Sequence, residues 1–447
     1  MSRIRIIITI IVVVLTTLLT GCTGKEPNEI AYVVALGIDS TDDDNYKITI
    51  QYANTTQISG GASESGGKAG SEIVDNVTIE APNIYAGVGL ANNIVSKSFS
   101  MSHAKLIVFS KEIAEKGVKD MIETLVRSEE IRPDVFIAVA NTTANDYLTS
   151  VNPEMEVNPA QYYQLIYQKN QLVGIPDGQL REFFTGLYTD NYDSILPVAG
   201  VIEGAGGNSQ NDDKGQSKDS QNEGSEGSSE SLDSFESKNS DENEKEKDAE
   251  KNTSKYEYDI KNYVGGETAI EKKNKAEAIG AAVFEKDKMV GELGEVETEI
   301  FKMLIGDYTY RYLTYYNNDT PDIPITVKTT QQKKPKYKID TDKKTVDIEL
   351  YIESDLYSLP ADYNVENKIE DFERDVANYT SSACTEFINN FTKKYNSDIL
   401  KLNEKVKYKF LTNNQYNWFK KNVGWSEYKF SVCTNFKVRR TGLIVRE

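Results

Sequence analysis

The sequence contains few of the residues on which enzymes and metal sites most often depend. Its 447 residues include one histidine and three cysteines. With His103 as the only histidine, the H-E-x-x-H zinc motif is excluded, and no G-x-S-x-G motif is present to suggest a serine triad. The cysteines, at positions 22, 384 and 433, fit no zinc or haem spacing. We therefore predict no catalytic residues, metal or cofactor, and interpret His103 as a structural or surface residue.

Positive charge is outweighed by negative charge. The chain has 70 acidic residues against 51 Lys and Arg, a formal net charge of −19. Nucleic-acid phosphates would be repelled unless basic residues were gathered on one face, and the sequence shows no single basic block of that kind. We therefore predict no binding to nucleic acid.

Two patterns that suggest ligand sites are incomplete. Residues 66–68 (GGK) resemble the end of a phosphate loop, but the first glycine and the final Ser or Thr of that motif are missing. Asp39 and residues 42–44 suggest calcium, but an aspartate stands where an EF-hand loop needs glycine. The aspartates are predicted to form a solvated turn.

The N-terminus has the features of a bacterial secretory leader. Arg3 and Arg5 precede an almost unbroken apolar run over residues 6–19. Residues 19–22 (LTGC) resemble the lipobox at all four positions, so Cys22 is predicted to be lipidated and to become the new N-terminus.

The alternative to a cleaved leader is an uncleaved transmembrane helix. The apolar run has 14 residues, whereas about 20 are needed to cross the hydrocarbon core. Each buried methylene contributes about 0.8 kcal/mol, so two or three acyl chains such as palmitate would hold the protein stably. We therefore predict a lipid anchor at the outer face of the cytoplasmic membrane.

Hydrophobic patterns predict a multi-domain protein of about three domains, α+β or mixed α/β, with antiparallel and mixed sheets flanked by helices. The predicted divisions are a signal peptide (1–21), an N-terminal α/β domain (22–202), an acidic low-complexity disordered insert (203–255), a middle hairpin and helix (256–322) and a C-terminal α+β domain (323–447). The insert has 15 acidic and 7 basic residues, so it is predicted to be solvated.

In the N-terminal half, two strands at 31–38 and 46–52 are predicted to form a hairpin, the second of them half-buried because apolar and polar residues alternate. Further strands are predicted at 73–79, 106–109 and 135–139. Helical patterns involve Ile84 and Val88, then Ile113, Met121, Ile122 and Leu125 on one helical face, then Tyr162, Leu165 and Ile166.

In the C-terminal half, hairpins are predicted at 278–293 and 336–352. Apolar residues three and four apart from Ile369 to Tyr395 predict one long helix packed on a sheet. Strict alternation over 428–438 predicts a final strand with one covered face. Cys384 lies on the helix and Cys433 on this strand. A disulfide between them is possible outside the cytoplasm, although buried free thiols are the default interpretation.

Several motifs follow the lipobox in a recognisable order. They are residues 29–39 (EIAYVVALGID), 103–109 (HAKLIVF), 114–117 (AEKG), 127–132 (RSEEIR), 280–284 (GAAVF), 289–291 (MVG) and the final strand with Trp425, Arg440 and Gly442. In this order they resemble the Ger(x)C spore germination lipoproteins, the C subunits of nutrient germinant receptors.

The resemblance implies a three-domain lipoprotein that assembles with two polytopic membrane subunits in the inner membrane of the spore. It implies no catalytic residue, and it leaves direct binding of a small molecule open. It also implies structural roles for matched residues, with Gly37 and Gly291 at turns and Arg127 and Arg132 in internal ion pairs.

Two other functions remain alternatives at this point. A lipid-anchored solute-binding protein of a transporter would have two α/β lobes around a ligand cleft, a pattern that the strand-rich region after residue 320 fits poorly. A cell-envelope hydrolase would use a pair of carboxylates, but with so many acidic residues no single pair stands out.

Overall fold

The computed structural model of the chain describes residues 3–7, 9–10, 29–43, 45–53, 74–152, 156, 158–168, 174–189, 191–202, 262–268, 274–317, 320–358 and 365–441. Cys22, the glycine-rich residues 59–70 and the acidic insert 203–255 lie outside these ranges. Among the described helices, none has both the length and the apolar character that a bilayer span requires.

A mixed sheet forms the N-terminal half. Its nine strands are β1 (Ile30–Ser40), β2 (Tyr46–Ala53), β3 (Val74–Ala81), β4 (Ser98–Ser100), β5 (Leu106–Ser110), β6 (Phe136–Ala140), β7 (Ile195–Val201), β8 (Ala276–Glu285) and β9 (Lys288–Leu293). The order is β3-β2-β1-β5-β6-β7-β8-β9, with β4 beside the start of β1. Strands β1, β5, β6 and β7 are parallel to one another. The pairs formed by β2, β3, β8 and β9 are antiparallel.

Helices cover both faces of this sheet. They are α1 (Ile84–Ala91), α2 (Lys111–Lys116), α3 (Lys119–Val126), α4 (Ala144–Ser150), α5 (Pro159–Gln168) and α6 (Leu180–Thr189). Buried residues of α1, α2, α3 and α6 share one core with the sheet, and those of α4 and α5 share another. The fold is therefore a three-layer arrangement with the sheet in the middle.

Two local predictions for this half are wrong. Strand β2 is predicted to be half-buried, but it is covered on both faces. On the face predicted to be polar, Thr49 donates a hydrogen bond to the Asn145 side chain of α4, and Gln51 accepts one from the Tyr163 hydroxyl of α5 at 2.5 Å. The single helical face predicted around Ile113 and Leu125 belongs to two helices, α2 and α3. The chain breaks between them at Gly117, whose φ of 123° lies outside the helical region.

A second sheet forms most of the C-terminal half. Its strands are β10 (Tyr310–Asn317), β11 (Thr320–Thr330), β12 (Lys336–Asp340), β13 (Thr345–Ser358) and β14 (Lys429–Arg440). The helices are α7 (Glu295–Ile305), α8 (Val365–Tyr395), α9 (Leu402–Val406) and α10 (Asn413–Asn422), with 3-10 turns at Lys407–Lys409 and Trp425–Glu427. In this sheet β14 is parallel to β13, and the other pairs are antiparallel. The predicted α+β class, with sheets flanked by helices, is confirmed.

The long helix and the final strand pack together as their patterns predict. Phe372, Val376 and Phe391 of α8 face the same core as Phe430 and Phe436 of β14. In β14 every second residue from Phe430 to Phe436 is buried.

Both described cysteines are free thiols. Cys384 is buried, and burial raises the pKa of its thiol to about 12, which keeps it protonated and unreactive. Cys433 is exposed on the outer face of β14, so the prediction that both thiols are buried holds for Cys384 alone.

The two halves share a core. Ile195, Val283 and Leu293 of the first sheet belong to one apolar cluster with Ile325 and Phe430 of the second. The predicted middle region is divided between the two sheets, because β8 and β9 extend the first and β10 and β11 begin the second. The domain boundaries stay a prediction.

Gly37 and Gly291 do not lie at turns, so the roles that the resemblance implied for them are wrong. Gly37 is inside β1, where an added Cβ would lie 3.0 Å from the Leu148 side chain of α4. Gly291 is inside β9, where an added Cβ would overlap the Tyr395 ring of α8. At both positions a helix packs closely on the strand, and the overlap that a Cβ would cause is larger at Gly291.

A closer backbone approach occurs at Gly200 in β7, where an added Cβ would overlap the backbone of Gly265. We expect Gly200→Ala to lower the free energy of unfolding by about 2 to 3 kcal/mol, because the crossing segment must shift. The matched control is Gly89→Ala in α1, where nothing lies within 4 Å of the added Cβ. This change should raise the free energy of unfolding by about 0.5 to 1 kcal/mol, because alanine favours the helix over glycine. Urea unfolding of both variants measures the difference, and equal effects would contradict it.

Candidate functional site

The predicted lipidation site cannot be placed in the fold. Cys22 lies outside the described residues, and the first strand begins beyond it, at Ile30. Lipidation of Cys22 therefore stays a prediction from the sequence.

His103 is exposed at the surface, and its ring meets the Tyr32 ring edge-on with centroids 4.9 Å apart. The arginines that the resemblance placed in internal ion pairs do form ion pairs within the chain, but these pairs are at the surface. Arg127, just after α3, pairs with Glu123, and Arg132 pairs with Asp134. Among the described residues, no three His, Cys, Asp or Glu side chains are grouped to hold a metal ion.

The aspartates near the first hairpin have two different roles. Asp42 and Asp43 are exposed, as predicted for a solvated turn. Asp39 is buried, and its carboxylate accepts hydrogen bonds from the backbone N–H groups of Ala144 (2.6 Å) and Asn145 (3.0 Å) at the start of α4. The prediction is wrong for Asp39, because a helix start from a distant part of the chain covers it.

Asp193 and Asp398 form a polar connection between the two halves, which we call the joint. The backbone N–H of Asp193, just before β7, donates to the Asp398 carbonyl oxygen at 3.1 Å, and the Asp398 N–H donates to the Asp193 carboxylate at 2.9 Å. The Asp398 carboxylate accepts from the N–H groups of Leu402 and Asn403, each at 2.7 Å. Asp398 therefore ties the start of α9 to the first sheet.

Further contacts surround this pair. Lys401 lies 3.4 Å from the Glu182 carboxylate of α6, and its ammonium group sits 4.2 Å above the centre of the Tyr192 ring. Lys420 of α10 donates to the Thr189 carbonyl oxygen and to the Asn191 side chain, both at 3.0 Å. Polar contacts thus hold Lys401, just before α9, and Lys420 of α10 against α6 and the residues that follow it.

An open cleft of about 520 Å³ lies along the joint, with Tyr192, Asp398 and Lys420 on its walls. Asn403 and Trp425 also line it, and the buried Oδ1 of Asn403 and Nε1 of Trp425 find no hydrogen-bond partner among the described residues. The cleft therefore offers polar groups of both signs rather than an apolar pocket.

Burial shifts the ionisation of two acidic groups in the C-terminal half. Burial raises the pKa of Asp398 to about 7, although the two backbone N–H donors oppose that shift. Burial also raises the pKa of Glu299 to about 7, against the opposing effect of Arg311 beside it. Of these two groups only Asp398 belongs to the joint, where its raised pKa favours the protonated carboxyl more than solvent would.

The relation to known proteins follows from matches along most of the chain. A family model described as "Spore germination protein N-terminal domain" matches residues 24–201, and one described as "Spore germination B3/ GerAC like, C-terminal" matches residues 279–442. Together they cover more than half of the chain, in order. The chain belongs to the Ger(x)C family of spore germination proteins. The predicted insert lies between the two matches that define this Ger(x)C chain.

Two curated relatives of this Ger(x)C chain come from Bacillus subtilis strain 168. Spore germination protein KC is 26% identical over 176 residues, which are 36% of this chain and 43% of that protein. The putative spore germination protein YfkR is 28% identical over 145 residues, 32% of this chain and 37% of that protein. The alignments thus span less than half the length of these relatives. The crystal structure of the GerBC protein aligns with 90% of this chain and 96% of that one, at a TM-score of 0.48 and 15% identity.

Sequence reasoning missed the joint. Asp193 and Asp398 are some 200 positions apart in the sequence and carry no motif. The sequence holds one weak signal for the joint. Asp398 lies shortly before a short stretch of apolar and charged residues, a pattern typical of a helix start.

Proposed function

We propose that the chain is a membrane-anchored lipoprotein subunit of a nutrient germinant receptor, needed for spore germination as a non-catalytic component of assembly and signalling. The observation that carries the proposal is the order of features. A complete lipobox ends at Cys22, and the N-terminal family match begins two residues later, at residue 24.

In this proposal, acyl chains such as palmitate on Cys22 hold the body at the outer face of the cytoplasmic membrane, which in the spore is the inner membrane. The partners are the bilayer and two polytopic membrane subunits of the receptor. The shared core and the Asp193–Asp398 joint support a scaffold role, because they bind the two halves into one body that can present a fixed surface. The names of protein KC and YfkR refer to spore germination, and neither name refers to a transporter.

Affinity purification from detergent-solubilised spore membranes tests the assembly. We expect the tagged chain to bring down two polytopic membrane proteins in near-equal amounts, because a receptor subunit should remain in its complex. A tagged unrelated lipoprotein of the same membrane is the control. If the chain elutes alone with its acyl anchor intact, the receptor assignment is contradicted.

A further inference from the structure

An exposed apolar group lies on the C-terminal half. Tyr408, Leu411 and Trp418 are 80%, 94% and 68% exposed, and they are three of the four most exposed large apolar side chains among the described residues. They sit on the 3-10 turn at Lys407–Lys409, the bend after it and α10. Such side chains gain nothing from the fold and are available to an external apolar phase.

Lysines are numerous in the segment that carries this group and in a second segment packed beside it. Residues 401–422 contain six lysines and one acidic residue, and residues 331–344 contain six lysines and two acidic residues, in a chain whose net charge is −19. The two segments form one surface, because Lys409 donates to the Ile339 carbonyl oxygen and the Lys405 ammonium group lies 4.6 Å from the centre of the Tyr337 ring. We call this surface, with Tyr408, Leu411 and Trp418 at its edge, the lysine-rich tip.

The topology places the lysine-rich tip at the edge of the first sheet at which its parallel strands begin. Parallel strands begin at a common edge, so the starts of β1 (Ile30) and β7 (Ile195) lie at the same end. Asn191, just before β7, contacts Lys420 of the tip. A fully extended tether from Cys22 to Ile30 spans at most about 28 Å. An anchor at Cys22 would therefore bring this end of the molecule to the bilayer.

Strand β7 runs away from the lysine-rich tip and ends at Val201. The acidic segment, with 15 acidic and 7 basic residues over 203–255, follows that strand in the sequence. An anionic surface would therefore attract the tip.

We propose that the lysine-rich tip rests on an anionic phospholipid surface, with Leu411 and Trp418 entering the interfacial layer and the exposed lysines, such as Lys407 and Lys421, facing the headgroups. Trp and Tyr favour that layer, and each nearby lysine adds attraction to anionic lipid. A lipid surface fits better than a protein partner, because three protruding side chains are a small fraction of the roughly 20 to 30 residues that each side of a stable protein interface usually contributes. The proposal rests on the proposed anchoring only for proximity to the membrane.

The test uses the chain from residue 22 with Cys22→Ser, so that no acyl chain contributes. The three apolar cores draw on residues from Ala31 onward, so the leader is not part of them. The two tryptophans provide an internal probe, because Trp418 is 68% exposed and Trp425 is 2% exposed. With vesicles of brominated phosphatidylcholine and phosphatidylglycerol, we expect quenching of the Trp418 emission that disappears in Trp418→Phe and at high salt.

Matched variants separate this contact from general adhesion. Leu411→Asp should lower the vesicle partition coefficient about tenfold, because a charge replaces an inserted apolar side chain, and Lys421→Gln should lower it about fivefold. Tyr357→Asp is the control, since Tyr357 is 59% exposed at the far end of β13. Circular dichroism checks that each variant is folded, which we expect because the changed side chains are exposed.

The proposal would be overturned by no quenching with anionic vesicles at low salt, by equal quenching with pure phosphatidylcholine, or by equal effects of Leu411→Asp and Tyr357→Asp. Binding of the tip to polyglutamate without binding to vesicles would assign the surface to an acidic protein and also overturn it. The Cys22→Ser variant used in this test cannot be acylated, so its result does not depend on the anchor. Absence of acylation at Cys22 in the native protein would contradict the proposed function but would not affect this test.

Discussion

Cys22→Ser is expected to make nearly all of the protein extractable from spore membranes by alkaline carbonate, whereas the unchanged chain should resist extraction. Each methylene of an acyl chain contributes about 0.8 kcal/mol of membrane affinity, so losing two or three chains removes most of the anchoring. The apolar run of 14 residues that remains is shorter than the roughly 20 residues that hold a helix across the bilayer. Immunoblotting of pellet and supernatant measures the effect.

The matched control for this change is Cys433→Ser, which replaces the exposed thiol of β14 and should leave the protein in the pellet. The nutrient response of Cys22→Ser spores should be lost along with the anchor. Normal germination with an unchanged protein level would mean that anchoring at Cys22 is not needed.

Asp398→Ala is expected to lower the free energy of unfolding by about 3 kcal/mol, because two buried backbone N–H groups at the start of α9 lose their acceptor. Asp398→Asn should cost less, since its side-chain oxygen still accepts one of these bonds. The control is Asp42→Asn, at an exposed position of the first hairpin. If Asp398→Ala and Asp42→Asn have the same effect in urea unfolding, the joint does not stabilise the fold.

The same residue should make stability depend on pH. Its pKa in the folded chain, about 7, lies above its ordinary value of 3.8. Between these values the folded state keeps a proton that the unfolded state has released, so this contribution to stability is complete below the ordinary pKa and is lost as the pH rises through 7. From pH 5 to pH 8 the unchanged chain should lose on the order of 2 kcal/mol relative to Asp398→Asn. An equal pH dependence of the two proteins would contradict the raised pKa.

Elements whose patterns are local could be predicted from the sequence. The alternation in β14, the spacing of apolar residues in α8 and the hairpin of β12 and β13 are confirmed. In the strands every second residue faces the core, and in the helix every third or fourth residue does. The spacing of the apolar residues therefore identifies the buried face of each element.

Features that depend on long-range packing could not be predicted. Gln51 looked solvent-facing because it alternates with apolar residues, but α5 covers it from more than 100 positions away. Asp39 looked like one of four turn aspartates, but α4 begins against it. The lysine-rich tip combines two segments that are about 60 positions apart, so neither looked like a basic surface by itself.

The most direct test of the anchoring account is the mass of the N-terminal residue of the protein isolated from spore membranes. The account predicts that the chain begins at Cys22, that this residue carries the added mass of acyl chains, and that no peptide from residues 1–21 is attached. A chain that retains residues before position 22, or a mature Cys22 without acyl mass, would contradict it.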